Sequence, residues 1–299
     1  MTEDVDPLTA LVIENPPSNT IEMRELVDQF SMMMNENLPE IGNSLDDILI
    51  EEHEPLSLSV DIHTPKGDGP FPILIYLHGG GWVLGSPKTH RRLGFRFAEA
   101  GYLVFNVQYR LAPEAPFPAG FDDCVQALDW VLEHAPKYGG DLNRLAMGGD
   151  SAGGNLTAAV ATHADNADRL KSLLLIYPAL DFASMGESME PLPGAEAGIL
   201  DLMINPYIGH DREALMLDPR VSPIHASRRY PETMIICGTG DDLIHDCHRL
   251  TEKLASAGTP FETDYYEGMP HGFVQMEEMF PQARQSIKKM IGFLDRTLG

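Results

Sequence analysis

Basic side chains are scarce in this sequence of 299 residues, which has 21 Lys and Arg against 45 Asp and Glu and a formal net charge of −24 at pH 7. A nucleic-acid-binding face needs Lys and Arg to neutralise phosphates. An anionic membrane surface likewise attracts basic segments. The charge therefore argues against both kinds of partner, and we expect the chain to bind neither nucleic acid nor a membrane.

Cysteine is also scarce, and the three present, Cys124, Cys237 and Cys247, form no CxxC pair. An odd number without that spacing is not typical of a disulfide framework or of a structural zinc site. The sequence has no run of about 18 apolar residues, as a membrane span requires. Its first residues also lack the basic and apolar stretches of a signal peptide. These absences predict a cytoplasmic protein with reduced thiols.

Potential metal ligands are dense only in His245-Asp246-Cys247-His248. This segment lies in a stretch with helical periodicity, where adjacent side chains diverge and only His245 and His248 share a face. Two ligands do not make a site of the usual kind. We therefore expect no metal site and no cofactor.

What the sequence does contain is an alternation of short apolar runs with helix-period stretches. The runs lack strict polar alternation, which is typical of parallel strands covered on both faces. The predicted strands are Pro72–Leu77, Leu103–Tyr109, Arg144–Met147, Ser172–Tyr177, Thr233–Cys237 and Thr263–Tyr266. The predicted helices between and after them are Phe121–His134, Gly153–His163, Asp242–Ala257 and Pro281–Leu298. This order predicts an α/β fold, a mostly parallel central sheet flanked by helices.

Two regions interrupt this alternation. Residues 1–50 include a helical stretch at Ile21–Asn37, and residues 183–220 are rich in Met and Pro. Unbranched Met side chains adapt to varied ligands, so these two regions could together form a lid over an apolar pocket.

The sequence Gly149-Asp150-Ser151-Ala152-Gly153 follows a predicted strand and precedes a predicted helix. This is the context of a nucleophile elbow, a turn so sharp that small residues are needed around the serine. The pattern predicts Ser151 as a nucleophile, and the amide of Ala152 as one donor to the oxyanion of the tetrahedral intermediate.

A serine nucleophile needs a base, which in this arrangement follows an acid along the chain. Of the late histidines, only His271 comes after the last predicted strand, between Pro270 and Gly272 in a loop able to reach back over the sheet. The acid should follow the preceding strand, where Asp241 and Asp242 both stand. Asp242 is placed to begin the next helix, which favours Asp241 as the acid and leaves Asp242 as the alternative.

A glycine-rich segment, His78-Gly79-Gly80-Gly81-Trp82, follows the strand predicted at Pro72–Leu77. It matches the oxyanion loop of lipases and esterases, whose backbone amides must reach the ligand without side chains in the way. The donors are expected among Gly79, Gly80 and Gly81.

Taken together, these motifs resemble the hormone-sensitive-lipase-like esterases, also called bacterial family IV. The resemblance covers the chain from about residue 55 to its end and rests on HGGGW at 78–82, YRLAPEAPFPAGFDD at 109–123, GDSAGGN at 149–155, DPRVSPI at 218–224, the acid segment at 241–243 and HGF at 271–273. Relatives commonly have proline where Asp242 stands.

The resemblance implies an α/β-hydrolase fold with a helical cap. Residues 1–50 would form the N-terminal part of the cap, residues 183–220 the cap insertion, and residues 51–182 and 221–299 the catalytic domain. It further implies that Gly80 and Gly81, with Ala152, donate to the oxyanion, with Gly79 as an alternative. We expect Trp82, Asp150 and Met203 to contact the substrate.

These features predict a serine carboxylesterase that hydrolyses short- to medium-chain esters through an acyl-enzyme, with Ser151, Asp241 and His271 as its triad. The partner is a small-molecule ester, and relatives often form homodimers. The alternatives are an amidase, lactonase or carbamate hydrolase with the same triad, or a relative that binds a ligand without catalysis.

Overall fold

A computed structural model of the chain describes residues 19–184, 200–209 and 212–299. Its centre is one sheet of eight strands in the order β1-β2-β4-β3-β5-β6-β7-β8. The strands are β1 Asn43–Glu51, β2 Leu58–Thr64, β3 Phe71–Leu77, β4 Leu103–Gln108, β5 Gly140–Asp150, β6 Ser172–Ile176, β7 Glu232–Gly238 and β8 Phe261–Tyr266. The β1–β2 and β2–β4 pairs are antiparallel, and all other pairs are parallel. The predicted α/β class and its six strands are confirmed.

Helices lie between and after the strands. They are α1 Thr20–Met34, α2 Arg91–Glu99, α3 Ala119–His134, α4 Ala152–His163, the short α5 Asn205–Ile208 and α6 Arg212–Leu215, α7 Ile244–Ser256 and α8 Pro281–Leu298. None among the described residues is long and apolar enough to cross a membrane. The sequence prediction missed α2, in which Gly94, a weak helix former, lies against the His63 ring. A Cβ at Gly94 would be only 2.8 Å from that ring.

The predicted boundary of the N-terminal cap segment at residue 50 is wrong, because residues 43–50 belong to the sheet. They form most of β1, which pairs with β2 from Asn43 opposite Thr64 to Glu51 opposite Leu58. β1 is an edge strand with no fully buried residue, so it lacks the apolar run from which buried strands are predicted. Of the two predicted cap segments, residues 1–18, 185–199 and 210–211 lie outside the described residues.

The parallel strands present their carboxyl ends at one edge of the sheet, where ligands bind in folds of this kind. β3 leads into the glycine loop, β5 into Ser151, β7 into the acidic loop, and β8 into the loop that carries His271. The inner strands β3, β4, β6 and β7 and the second half of β5 are packed in the apolar core, whereas the edge strand β8 is mostly only partly buried. The fold therefore brings four distant sequence motifs to one place.

The close packing of α4 on β3 depends on Gly153. A Cβ at this position would be 2.0 Å from the Leu77 carbonyl oxygen, whereas one at Gly292, in the exposed middle of α8, would meet nothing within 4 Å. We therefore expect Gly153→Ala to lower the free energy of unfolding by about 3 kcal/mol or more, since backbone must move. Gly292→Ala should raise it by about 0.5–1 kcal/mol, the usual gain in a helix. Urea unfolding followed by circular dichroism measures both. Equal effects of the two substitutions would contradict the packing described here.

Candidate active site

Ser151 occupies the turn between β5 and α4 with φ 53° and ψ −116°, a conformation that costs energy for a residue with a side chain. The turn is held by its surroundings. The Ser151 N–H donates to the Ile176 carbonyl at 2.9 Å, and the Asn155 N–H donates to the Ser151 carbonyl at 3.0 Å. A Cβ at Gly149 would lie 2.4 Å from the Gly153 carbonyl oxygen, so this crossing needs glycine. The predicted elbow geometry is present.

A chain of two hydrogen bonds joins the three predicted catalytic residues. His271 Nε2 lies 2.9 Å from Ser151 Oγ, and His271 Nδ1 lies 2.7 Å from Asp241 Oδ2. The other oxygen of Asp241 accepts the Leu243 N–H at 2.9 Å, and the Asp241 side chain is only 1% exposed. The carboxylate is thus fixed from two directions and orients the imidazole.

Asp242, the alternative acid, is exposed, and no hydrogen bond joins it to His271 within the described chain. The prediction that Asp242 begins the next helix is wrong, because α7 starts at Ile244 with Leu243 at its cap. The Asp241 carboxylate accepts the Leu243 N–H in the loop before α7 and contacts the histidine as well. The Asp241 carboxylate therefore binds both the backbone of its own loop and the imidazole of His271.

The pKa of His271 is raised above its usual 6.5 by its surroundings. Burial acts to lower this pKa, but the charge of Asp241 and its hydrogen bond to the ring outweigh burial. Asp150 and Asp242 add smaller effects in the same direction. The imidazole is therefore a stronger base than a free histidine, as proton removal from a serine hydroxyl requires.

The glycine loop turns sharply toward the cavity. Gly80, Gly81 and Trp82 all have positive φ, at 123°, 58° and 62°, and the Gly80 carbonyl accepts the N–H groups of Val83 and Leu84 at 3.1 and 3.0 Å. A Cβ on Gly80 would lie 2.1 Å from the Leu84 carbonyl oxygen. The loop can adopt this path only with glycine at that position.

Three backbone N–H groups, two in the glycine loop and one after Ser151, are available to a ligand. The N–H groups of Gly80 and Gly81 donate to no residue in the part of the chain that the structure describes. Ala152 is the first residue of α4, and the N–H of a first helical residue has no acceptor within its helix. Gly80, Gly81 and Ser151 line the same cavity. The arrangement can therefore receive a negatively charged oxygen beside the serine.

Gly79, the alternative oxyanion donor, does not fit that role. Its N–H donates to Asp150 Oδ1 at 3.0 Å, and a Cβ on Gly79 would lie 2.4 Å from the same carboxylate. The expectation that Gly79 serves as a donor to substrate is wrong, because its amide is already paired inside the protein.

Asp150 was expected to contact substrate, and it does line the cavity, but both of its carboxylate oxygens have protein partners. Oδ1 accepts the Tyr76 hydroxyl at 2.8 Å in addition to the Gly79 amide, and Oδ2 lies 3.2 Å from His90 Nε2. Burial raises the pKa of Asp150, but His90 and the Tyr76 hydrogen bond bring it below its usual value. Asp150 therefore supports the glycine loop as a carboxylate, and its contact with the substrate stays a prediction.

Tyr76 and His90 were both missed by sequence reasoning. Tyr76 lies inside an apolar strand, and His90 belongs to no motif considered above. The available signal was Asp150 itself, because a buried carboxylate beside a nucleophile needs donors. The sequence does not show where along the chain those donors stand.

The cavity in front of Ser151 has a volume of about 400 Å³. The predicted substrate contacts Trp82 and Met203 both line it. The Trp82 ring stacks on Tyr207 with centroids 4.8 Å apart and planes 9° apart. Met203 approaches the glycine loop so closely that a Cβ on Gly81 would be 2.4 Å from its sulfur. These side chains form a wall next to the free amides.

Among residues 19–184, 200–209 and 212–299, no group of three or more His, Cys, Asp or Glu side chains is arranged to hold a metal ion. His245 and His248, set aside as ligands from the sequence, both stand on α7. The chemistry we describe uses only side chains and backbone amides of this chain.

A family profile, a sequence relative and two solved structures all point to an esterase with the α/β-hydrolase fold as the kind of protein this chain resembles. The family profile described as the α/β hydrolase fold matches residues 74–275. The chain is 35% identical over 237 residues to the carboxylesterase NlhH of Mycobacterium tuberculosis, covering 76% of this chain and 74% of that one. An esterase of Pyrobaculum calidifontis has a similar structure, with a TM-score of 0.86 at 28% identity over 99% of this chain and 100% of that one. An esterase of the bacterial hormone-sensitive lipase family has a TM-score of 0.82 at 26% identity over 100% and 99%.

The raised pKa of His271 makes a prediction about pH. The base works only when neutral, so kcat/KM should fall as pH drops through the His271 pKa, with an inflection above 6.5. In Asp241→Asn the inflection should move to lower pH, because the group that raises this pKa is gone, and the plateau should fall about 10⁴-fold. In Asp242→Asn the plateau should change by less than about threefold, since an exposed charge has a small effect. Hydrolysis of p-nitrophenyl acetate between pH 4.5 and 9 measures all three. A larger loss in Asp242→Asn than in Asp241→Asn would contradict the assignment.

The contacts of Asp150 predict an effect on kcat rather than on KM. In Asp150→Asn the glycine loop loses charge-assisted support, and oxyanion donors act mainly in the transition state. We expect kcat to fall about 10- to 100-fold while KM changes less than about threefold. Asp129→Asn, on the exposed face of α3, is the matched control and should leave both parameters unchanged. A rise in KM at unchanged kcat would show instead that Asp150 contacts the substrate.

Proposed function

We propose that Ser151, His271 and Asp241 are the catalytic residues of this chain, which belongs to the α/β-hydrolase-fold family and, within it, to the hormone-sensitive-lipase-like serine carboxylesterases. One observation carries the assignment. The hydrogen-bonded series from Asp241 through His271 to Ser151 ends at a cavity that the amide-bearing residues Gly80 and Gly81 also line.

The reaction begins when Ser151 Oγ attacks the ester carbonyl carbon and His271 Nε2 accepts the hydroxyl proton. The carbonyl oxygen becomes an oxyanion, which accepts hydrogen bonds from Gly80, Gly81 and Ala152. The protonated His271 then gives its proton to the alcohol oxygen, the bond to that oxygen breaks, and the acyl group remains on Ser151.

Deacylation repeats these steps with water in place of the serine hydroxyl. His271 accepts a proton from the water as its oxygen attacks the acyl carbon, and then returns a proton to Ser151 as the acid leaves. Asp241 stays ionised throughout and stabilises the imidazolium that forms in each half of the reaction. The triad and the three amide donors are the only groups that this sequence of bond changes requires.

The size of the cavity supports short- and medium-chain esters. Ligand pockets commonly measure about 300–1,000 Å³, and this one, at about 400 Å³, is at the small end. Both arms of an ester must fit within or extend from that space. We therefore propose small acyl and alcohol groups rather than long triglyceride chains.

We propose that α1 and residues 200–209 form the cap of this cavity. Met23, Val27 and Phe30 line it from α1, and Met203 and Ile204 line it from the second segment. Neither segment belongs to the sheet, and the two meet where the Thr20 hydroxyl donates to the Leu202 carbonyl at 3.1 Å. This contact supports a single cap assembled from both.

The buried thiols and the open edge of the sheet bear on the location and assembly of the protein. All three cysteines are free and buried, which supports a cytoplasmic location. β8 is the last strand of the sheet, and an open strand edge offers backbone groups to a second copy. We propose a cytoplasmic protein that can form a homodimer along β8.

The decisive test of the function is hydrolysis of p-nitrophenyl esters from acetate to palmitate by the wild type and by Ser151→Ala. We expect the highest kcat/KM on acetate to hexanoate, and a loss of roughly 10⁴-fold or more in the variant. Ser256→Ala, at the exposed end of α7, is the control and should retain full activity. A folded wild type that leaves every ester intact but cleaves p-nitroanilides would replace the esterase with an amidase.

A further inference from the structure

The active-site cavity is lined by more acidic than basic side chains. Asp150, Asp241 and Asp242 line it, and Arg92 is the one Lys or Arg among its lining residues in the described part of the chain. The segments outside the described residues contain no Lys or Arg in their sequence. Those segments therefore bring no basic side chain that could offset the carboxylates.

Arg92 supplies no free positive charge to a ligand. Its guanidinium contacts Glu277 at 2.9 Å and Glu278 at 3.2 Å, and the Glu277 side chain is 2% exposed. The charge of the guanidinium is thus balanced by carboxylates of the protein. A ligand carboxylate would gain little at this residue and would be repelled by the acidic side chains of the cavity.

Two of the three cavity carboxylates also have partners within the protein. Asp241 Oδ2 lies 2.7 Å from His271 Nδ1. Asp150 accepts the Tyr76 hydroxyl at 2.8 Å and lies 3.2 Å from His90 Nε2. Both carboxylates are buried, and each histidine that lines the cavity faces one of them. These two pairs therefore leave the ligand no histidine charge without a carboxylate beside it.

Asp242 differs from both of these carboxylates. It is exposed, and no hydrogen bond or ion pair joins its carboxylate to another residue that the structure describes. It nevertheless lines the cavity next to Asp241, and its charge acts to raise the pKa of His271. The Asp242 carboxylate therefore lies within electrostatic range of the base and remains available to a ligand.

On the basis of the proposed esterase function, we propose that the cavity selects esters with a cationic group on one arm, and that Asp242 is the specificity-determining residue that attracts this group. The cation is an ammonium of either kind, a quaternary ammonium or a protonated amine. A cleft lined by charges of one sign concentrates ligands of the opposite sign. Cationic esters are then favoured over neutral esters of the same shape, and neutral esters over anionic ones.

The test compares esters that differ only by a quaternary nitrogen in place of a quaternary carbon, which adds a positive charge at nearly constant shape. On the acyl side the pair is p-nitrophenyl 4-(trimethylammonio)butanoate and p-nitrophenyl 5,5-dimethylhexanoate. On the alcohol side it is butanoylcholine and 3,3-dimethylbutyl butanoate. The quantity is the ratio of kcat/KM for the cationic ester to that for the neutral ester. Division by the same ratio for hydroxide ion at high salt removes the intrinsic reactivity of each ester.

For the wild type at about 50 mM NaCl we expect this normalised ratio to be about 10 on one arm of the ester, the lower end of the effect of a charged cleft. In Asp242→Asn the ratio on that arm should fall about threefold, the usual effect of one exposed charge at close range. The net charge of −24 attracts cations to the whole molecule as well. Asp129→Asn, which removes the same charge from the exposed face of α3, is therefore the matched control and should keep the wild-type ratio.

Salt separates an electrostatic effect of Asp242 from a steric one. Raising NaCl to about 500 mM shortens the Debye length from about 14 Å to about 4 Å. The wild-type ratio should then fall toward that of Asp242→Asn, because screening weakens the attraction of an exposed carboxylate. A ratio that differs between the two proteins but does not depend on salt would show a steric role and contradict the proposal.

Normalised ratios of one or less on both arms would overturn the inference while leaving the esterase function intact. Equal ratios in wild type and Asp242→Asn, or an equal fall in Asp129→Asn, would do the same, and so would hydrolysis of p-nitrophenyl acetate without hydrolysis of either cationic ester. A folded wild type that hydrolyses p-nitrophenyl acetate no faster than Ser151→Ala would instead remove the proposed function, and this inference with it.

Discussion

The Asp150 carboxylate is the point on which the geometry of the site depends. It lies next to the nucleophile in sequence and pairs with a strand hydroxyl, a loop amide and a histidine ring. By binding the Gly79 amide it fixes the peptide that leads into Gly80 and Gly81, whose N–H groups remain available. A buried charge is stable only when it is paired. The same pairs therefore keep Asp150 ionised and hold the oxyanion loop beside Ser151.

Another buried carboxylate, Glu277, fixes the segment that follows the base. Glu277, six positions after His271, lies within 2.9 Å of Arg92 and 2.7 Å of Arg96, and its side chain is 2% exposed. Both arginines belong to α2, the helix that begins directly after His90. Removing one member of such a pair would leave an unpaired charge in the interior. The segment that follows the base and the histidine that supports the oxyanion loop are thus fixed to the same short helix.

The three hydrogen-bonded residues that we propose as the triad could be predicted from the sequence because each of them stands in a local pattern. Ser151 lies between a strand and a helix, and His271 lies in a Pro–Gly loop after the last strand. Asp241 follows β7, and its burial and its contact with His271 distinguish it from the exposed Asp242. The parallel strands were predictable for a similar reason, since burial on both faces requires continuous apolar runs. Local sequence patterns are sufficient to predict an element when its structure depends on residues that are neighbours along the chain.

What could not be predicted depends on contacts between distant residues. Gly79 and Gly80 are adjacent glycines of one motif, and the sequence does not distinguish them. The difference comes from the carboxylate of Asp150, 71 positions after Gly79, which accepts the Gly79 N–H. β1 was not predicted because an exposed edge strand has no buried face and so no apolar run in its sequence. α2 was not predicted because it contains Gly94, a weak helix former whose place in the helix is explained only by the nearby ring of His63.

The polarity of the cavity also depends on contacts between residues that are distant in the sequence. In the sequence Arg92 is one of few basic residues, and in the structure its charge is paired with Glu277 while its guanidinium also donates to the carbonyl of Glu36. Groups without a protein partner do occur on residues that line the cavity, among them the Trp82 Nε1 and the Tyr177 hydroxyl, and these two groups are uncharged. Counting charges along the chain would assign the end of the cavity near Arg92 to an anion, whereas counting unpaired groups in three dimensions removes that reason, because the Arg92 charge is already paired. For a buried site the second count decides, because only groups without a protein partner gain by meeting a ligand.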